Sequence, residues 1–520
     1  RRVATRRRLA FVRWLPRLAE PLARAGGAMV NVFLLVVTII MTIMLALASF
    51  YFLVYFQSED DRNVAYGPKV TVVFGLTLTA VTVLMMPLDV ANRITDGGFP
   101  METMWEVVFS LHAGMAILVV PFMLFYYEAE DPEARVWRWW TALKYEVVTC
   151  VVMITLWIVL WFIWGYAEIP VADYIATINT TATDIPFDCL GVSQFADVNG
   201  TLVLTQGGAA LCTRVINWGI LRLSVTPVIY LMGLCSFLGW WLFVLFVGVG
   251  LAALPIDLLI EFNTRPQPID LQEYAKQKMI LNERAQKLLE VASKLGPDAH
   301  RSQDRRTRQT YNKFKQAVYF LEKDWEKVKT AYKERGGNPI KTCFAGFLGV
   351  LSVGLSVSWI IHVLIYVLIV PPPSLMLNSL FIELDNVFAL FGVIAYGLYS
   401  FYLLFCLLKG NMKAGLRFFC IPIHPMRVGA TLMNSMLFNL WLLQITSFAL
   451  TQFEVTAFAA YTRFTAAHNI FGFQIEYLAG FNWFFDNNIF IYLLIVICML
   501  TGVYLLAFPS DKRALDDDGD

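Results

Sequence analysis

Charge is what this sequence has least of. Asp, Glu, Lys and Arg make up 16% of its 520 residues, where soluble domains carry about 25%. That excludes a soluble globular fold, and a hydrophobic content of 58% also removes the disordered and collagen-like classes. Net charge is +1, so the overall balance points to no polyanionic partner, and no motif supports nucleic-acid binding. Histidine is scarce, with five residues, and eight cysteines are too few for a disulfide scaffold. No His and Cys set has the spacing of a metal site. There is no phosphate-binding loop, no H-E-x-x-H and no G-x-S-x-G. We therefore expect no enzyme, no cofactor and no metal. Gly248-Val249-Gly250 lies inside an apolar run without a preceding strand, and reads as close helix packing.

What the sequence does have is long apolar runs. A helix needs about 20 apolar residues to cross the hydrocarbon. Nine runs qualify, at 29–56, 70–87, 105–125, 147–163, 218–253, 344–370, 387–408, 429–450 and 484–508. Backbone groups must be paired inside lipid, so these runs read as helices. The expected fold class is all-α, a polytopic membrane protein with about nine transmembrane helices. The fifth run is too long for one crossing and is expected to run on toward the cytosol, with Pro255 and Asp257 closing it. The chain then divides into a basic tail (1–28), a first membrane segment (29–260) with a lumenal loop (168–215), a hydrophilic insert (261–341), a second membrane segment (342–508) with an aromatic lumenal loop (453–483), and an acidic cytosolic tail (509–520).

Orientation follows from basic residues. Alternate connections, together with the C-terminal tail, hold 29 Lys and Arg; the others hold 4, with Arg222 at the start of the fifth run included. The first set is expected in the cytosol, which puts the N-terminus outside or in a lumen. Two sequons, at Asn179 and Asn199, fall in the fourth connection on the lumenal side and are candidate glycosylation sites. Cys189 and Cys212 share that loop, where a disulfide can persist. Against this runs the N-terminal tail, with 8 Arg in its first 24 residues. It admits three readings: an interfacial amphipathic helix with Leu9, Val12, Leu15 and Leu18 on one face, a transit-like segment, or a chain that continues upstream.

The insert reads as an antiparallel helical (coiled-coil) hairpin in the cytosol. Pro268, Asp270 and Glu273 mark a helix start. Tyr274, Leu281, Ala285, Leu288, Ala292 and Leu295 follow at helical spacing, and Gly296-Pro297 stops them. Tyr311, Phe314, Val318, Leu321, Trp325, Val328 and Tyr332 then alternate steps of three and four, a heptad seam. The stretch from Arg265 to Lys341 carries 18 basic and 10 acidic residues, which reads as a solvated face before it reads as a headgroup or acidic-partner site.

Candidate ligand-binding residues are few. His112 and His362 lie deep in the third and sixth runs, where bonding to a neighbouring helix is the commoner use. Ser435, Asn439 and Thr446 share one face of the eighth run, lining a polar cavity or bonding to other helices. Asp89, Glu106, Lys144, Glu146, Arg222, Asp257, Glu383 and Asp385 fall near run ends and read as interfacial anchors or helix-end pairs. Aromatics from Phe453 to Trp483 imply a segment lying in the interface or dipping into the bundle, and a hydrophobic vestibule there would suit an apolar ligand.

Several stretches resemble the LIMR family, the limb-region and lipocalin-interacting membrane receptor group, above all its plant- and protist-type members. They are YGPKVTVVFGL (66–76), MPLDVANR (86–93), FMLFYYE (122–128), WIIHVLIYVLIVPPP (359–373), IHPMRVGATLMNSMLFN (423–439) and QFEVTAFAAYTRFTAAHNIFG (452–472). The resemblance implies nine helices, an external N-terminus and a cytosolic helical insert between spans five and six. It also implies a plasma-membrane or endolysosomal location, and a receptor or transport-accessory role, as in endocytic receptors for lipocalins or partners in cobalamin export. A lumenal carrier protein or apolar ligand, a cytosolic or membrane protein partner on the 270–332 hairpin, and a homodimer are the partners to be expected. An autonomous transporter or channel and a trafficking scaffold are the alternatives.

Overall fold

The structure, a computed structural model, describes residues 31–58, 66–128, 138–177, 188–190, 195–198, 201–204, 211–265, 267–295, 305–333, 335, 339–413, 417–418, 421–422, 429 and 431–507. The Arg-rich tail, the acidic tail and both sequon asparagines lie outside the described residues. Among the described residues, nine helices are long and apolar enough to cross a membrane. They are Val32–Phe56, Tyr66–Thr95, Met101–Glu128, Trp139–Trp164, Pro227–Asn263, Cys343–Leu368, Phe391–Lys413, Met433–Ala457 and Ile489–Ala507, called spans one to nine below. The protein is an integral multi-pass membrane protein, and its first partner is the lipid bilayer.

Some spans satisfy polar groups within their own helix. Span one starts at Asn31, whose Oδ1 accepts from the backbone of Phe33 and Leu34. In span two, Thr71, Thr77, Thr79 and Thr82 each donate to a carbonyl one turn back, so a threonine-rich helix exposes no hydroxyl to hydrocarbon. Span three widens into a π-turn at Met115–Val119. The Ala116 carbonyl in that turn accepts from Trp441 Nε1 of span eight at 2.7 Å, which gives the irregular backbone a partner inside the protein.

Two expectations need correction. The fifth run does not begin as a helix at Trp218, because residues up to Ser224 form a strand, and Pro255 does not end it, because the helix continues to Asn263. A proline inside a long span is tolerated where neighbouring groups take over the freed carbonyl. The chain is nearly all-helical, with strands among the described residues between spans four and five and between spans seven and eight. Strand β1 (Tyr166–Thr177) pairs antiparallel with β5 (Leu211–Ser224), and β5 also pairs with β2 (Asp188–Leu190). Strands β3 (Phe195–Val198) and β4 (Thr201–Leu204) form a separate hairpin. The β1–β5 ribbon is rich in β-branched and aromatic residues, which suit an extended backbone better than a helix.

The chain forms two compact units. The first comprises residues 1–250 and 358–497, and span two packs in it against spans one, seven and eight. Its helices touch at glycines. A Cβ at Gly250 would sit 1.8 Å from the Cys406 carbonyl oxygen, and one at Gly410 would sit 1.8 Å from that of Phe246. Only glycine permits that backbone contact, which is the close packing read from the G-x-G pattern.

The second unit comprises residues 251–357 and 498–520. Ser356 of the sixth helix donates to the Leu251 carbonyl at 2.7 Å, and Gly349 and Gly346 lie against Leu259 and Phe262. The insert forms two helices, Leu271–Leu295 and Arg305–Lys333, which pack on one another. The ring of Tyr274 stacks on that of Tyr332 at 4.2 Å, and Arg284 meets Asp324 at 3.7 Å, so the pair runs antiparallel. Leu281, Ala285, Leu288 and Ala292 are among the covered residues of the first helix, and Phe314, Val318, Leu321 and Val328 among those of the second.

Candidate functional site

Span eight is the axis of the first unit. Its membrane-crossing stretch is the most buried of the nine and the least apolar. Gln444 Nε2 donates to the Gly75 carbonyl at 2.9 Å and to Thr79 at 3.2 Å, tying span eight to span two. Gln452 Oε1 accepts from Ser236 at 2.6 Å and Trp240 Nε1 at 2.8 Å, tying it to span five. A buried amide in such a place is worth about 1 kcal/mol or less as a bond, but costs more when its partner is removed.

Both histidines are wholly buried and used between helices. His112 Nε2 lies 2.7 Å from Thr82 Oγ1, which also bonds the Leu78 carbonyl one turn back. His362 Nε2 lies 2.9 Å from the Ala457 carbonyl, which can only accept. The ring of His112 packs on Phe109 and Phe448, and that of His362 lies between Tyr366 and Phe458. Of the span-eight residues singled out in the sequence, Asn439 donates to the Ser435 carbonyl on its own helix, and Thr446 bonds back to the Leu442 and Leu443 carbonyls. Asn439 and Thr446 are buried and Ser435 is half-buried, so the three share a face but not a common partner.

The structure assembles a second polar group that spacing did not reveal. Asp89 of span two, 3% exposed, accepts from Trp105 Nε1 and the Ala467 backbone at 2.8 Å, and from Ala466 at 3.3 Å. Arg93, one turn on, donates to the Arg463 carbonyl and stands near Asp89, Tyr461 and Asp385. Tyr461 donates to Asp385 at 2.7 Å, and Asp385 also caps Gly392 at 2.8 Å. Burial, with the Asp385 bond adding to it, pushes the Tyr461 hydroxyl well above its ordinary value. Asn378 accepts from the Tyr461 backbone at 3.0 Å. Thus Asp89 and Asp385, which read as run-end charges, hold the connection after span eight in place.

That connection is packed inside the unit. Phe458, Ile470, Phe471 and Leu478 have no exposed surface, and a π-turn at His468–Ile475 sets Phe471 against Trp105 and Phe109. Burial, with the Arg463 charge adding to it, lowers His468 to about 4. Phe481 stacks on Phe237 of span five at 4.5 Å. The β1–β5 ribbon joins the same segment: Glu168 N donates to the Tyr477 carbonyl at 2.8 Å and Ala479 N to that of Tyr166 at 2.9 Å. Arg222 pairs with Glu168 at 3.1 Å at the base of the ribbon. The strand register sets Cys189 opposite Cys212. Among the described residues, no three His, Cys, Asp or Glu side chains gather as metal ligands.

Comparison with known proteins places this architecture. The description LMBR1-like membrane protein matches residues 34–338. A LIMR family protein of Dictyostelium discoideum is 37% identical over 505 residues, covering 94% of this chain and 99% of its own. The chain belongs to the LIMR family. A LIMR family protein of Arabidopsis thaliana is 33% identical over 508 residues (93% of this chain, 97% of the relative), and one of Oryza sativa is 32% identical over the same shares. No solved structure matches this LIMR protein. Glu454 is the residue that reading the sequence missed: wholly buried, it lies past the apolar run but inside span eight. Ser447, Thr451 and Glu454, spaced four and three, continue the polar stripe beyond Leu450 and are the signal for it.

Proposed function

We propose that this LIMR protein is a receptor or transport-accessory protein, not an enzyme. Its β-sheet meets a carrier protein or apolar ligand on the lumenal or external side, and its helical hairpin meets partners in the cytosol. The 29-to-4 distribution of basic residues supports that orientation. Sugar acceptors at Asn179 and Asn199, and a cross-strand disulfide between Cys189 and Cys212, belong to the same reading.

The observation that carries it is the backbone bonding of the ribbon to the buried segment at Tyr477 and Ala479. A ligand held on the sheet is thereby mechanically connected to the interior of the bundle. Such a joint suits ligand sensing or hand-over, because a shift of the ribbon must be followed by the segment it is bonded to.

Purified protein in liposomes tests the proposal. No solute movement by the protein alone is expected; movement would replace it with an autonomous transporter, the second reading, which the buried carboxylates Asp89 and Glu454 favour. Deleting 271–332 is expected to abolish recovery of cytosolic partners while membrane insertion persists. Unchanged recovery would remove the hairpin's role and with it the scaffold alternative.

A further inference from the structure

Between spans six and seven lies a helix too short to cross the membrane. Leu377–Val387 has 11 residues, where a crossing needs about 20. Helical spacing sorts its side chains into three sets. Leu377, Asn378 and Phe381 are buried, and Asp385 is half-buried on the same face. Leu380, Leu384 and Val387, spaced four and three, form an apolar flank that is exposed at Leu380 and Val387. Ser379, Glu383 and Asn386, also spaced four and three, form a polar flank that is exposed at Glu383 and Asn386. Ile382 lies between the polar flank and the buried face.

The buried face fixes how the helix is turned. Phe381 meets Tyr396 of span seven, and Phe458 and Tyr461 at the end of span eight. Tyr461 donates its hydroxyl to Asp385 at 2.7 Å and its backbone N–H to Asn378 at 3.0 Å. A Cβ at Gly392 would sit 2.1 Å from the Phe381 carbonyl oxygen, so the helix rests directly on the start of span seven. With that face held, the two flanks point to different surroundings.

The apolar flank does not end with the helix. Val387 is 79% exposed and Phe388 61%, and the Phe388 ring packs on Phe391 at 4.8 Å. Phe391 opens span seven. From there Phe391, Ile394, Leu398 and Phe405, spaced three, four and seven, form the exposed face of the span. The solvent of that face is hydrocarbon. The apolar strip therefore passes from lipid onto the short helix, while Glu383 and Asn386 on the other flank need water. A helix divided in this way suits the boundary between acyl chains and headgroups.

We propose that Leu377–Val387 is a membrane-surface element, with Leu380, Leu384, Val387 and Phe388 against the acyl chains of the leaflet where span seven starts, and Glu383 and Asn386 among hydrated headgroups. The partner of the apolar flank is lipid, because the strip is continuous with the lipid-facing side of span seven. Asn378 and Asp385 bond the element to Tyr461, so lipid packing that shifts the helix also moves the buried connection after span eight.

Nitroxide labels on the full-length protein in lipid nanodiscs give the test. Val387→Cys, Leu380→Cys and Glu383→Cys are labelled one at a time, and the signal of the unsubstituted protein treated with the same reagent is subtracted. At 387 and 380, collisions with oxygen, which concentrates in the chains, are expected to exceed those with a water-soluble nickel chelate. At 383 the order is expected to reverse. Preferential access of the chelate to 387 overturns the proposal. Exclusion of both reagents from 387 overturns it too, because protein then covers the flank. Should Val387→Cys fail to fold, Leu380→Cys decides by the same two criteria. The measurement needs no ligand or protein partner, so its outcome is separate from that of the receptor reading.

Discussion

Span eight and span four differ in almost every respect that composition measures. Span eight carries Asn439, Gln444, Thr446, Ser447, Thr451, Gln452 and Glu454, all buried. Span four carries Lys144 and Glu146 near its start, is mostly apolar beyond them and, Ala142 and Glu146 aside, leaves its described side chains half-buried or exposed. In a soluble protein the greasier helix would lie inside. Here the surroundings of the bundle are as apolar as leucine, so hydrophobicity does not draw a helix inward. What draws span eight to the centre is its need for partners: amides, hydroxyls and a carboxyl cannot face lipid, and neighbouring helices supply what water would.

Substitutions test that contrast, and the largest effect is expected at Asp89. Asp89→Ala leaves Trp105 Nε1 and two backbone N–H groups buried without an acceptor, and should cost about 3 kcal/mol or more in thermal unfolding of the purified protein. A stability near wild type would mean that the polar interior is not what holds span two to the segment after span eight. Gly410→Ala comes next, because its methyl group meets the Phe246 carbonyl; about 1–3 kcal/mol is expected, and an unchanged melting temperature would show that the helices separate freely. Gln452→Ala should cost about 1–2 kcal/mol by stranding Ser236 and Trp240, read in the same assay. Val152→Ala on exposed span four is expected within about 0.5 kcal/mol of wild type, and a larger loss would place a protein partner on that face. Smallest in energy, Cys189→Ser should change mobility on non-reducing gels and match Cys212→Ser; identical mobility with and without reductant would leave the pair unlinked.

Much of the architecture was legible in the residues. The apolar runs are seen as helices whose ends move by up to ten residues, and most of the described seam residues around Leu281 and Val318 are covered, while Trp325 is exposed. Trp218 and Pro255 misled for identifiable reasons. A strand of β-branched and aromatic residues has the hydropathy of a span, and a proline interrupts a helix only when nothing else pairs the freed carbonyl. The site was less legible. Asp89 and Asp385 are near run ends in sequence yet bond across the fold, Asp89 to Ala467 and Asp385 to Tyr461. Glu454 lay past the end of an apolar run because hydropathy falls where a helix turns polar, not where it stops.

The amino-acid order alone marked nine apolar stretches that the described residues hold as helices long enough to cross a bilayer, and the hydrophilic stretch between the fifth and sixth. Both depend on transfer from water of residues adjacent in sequence, which is a local sum. Which polar groups meet is a different quantity. Gln444 bonds to Gly75 across 369 positions, and Tyr461 bonds to Asp385 across 76. Such pairings depend on the positions of several helices at once, so they were decided by the tertiary structure.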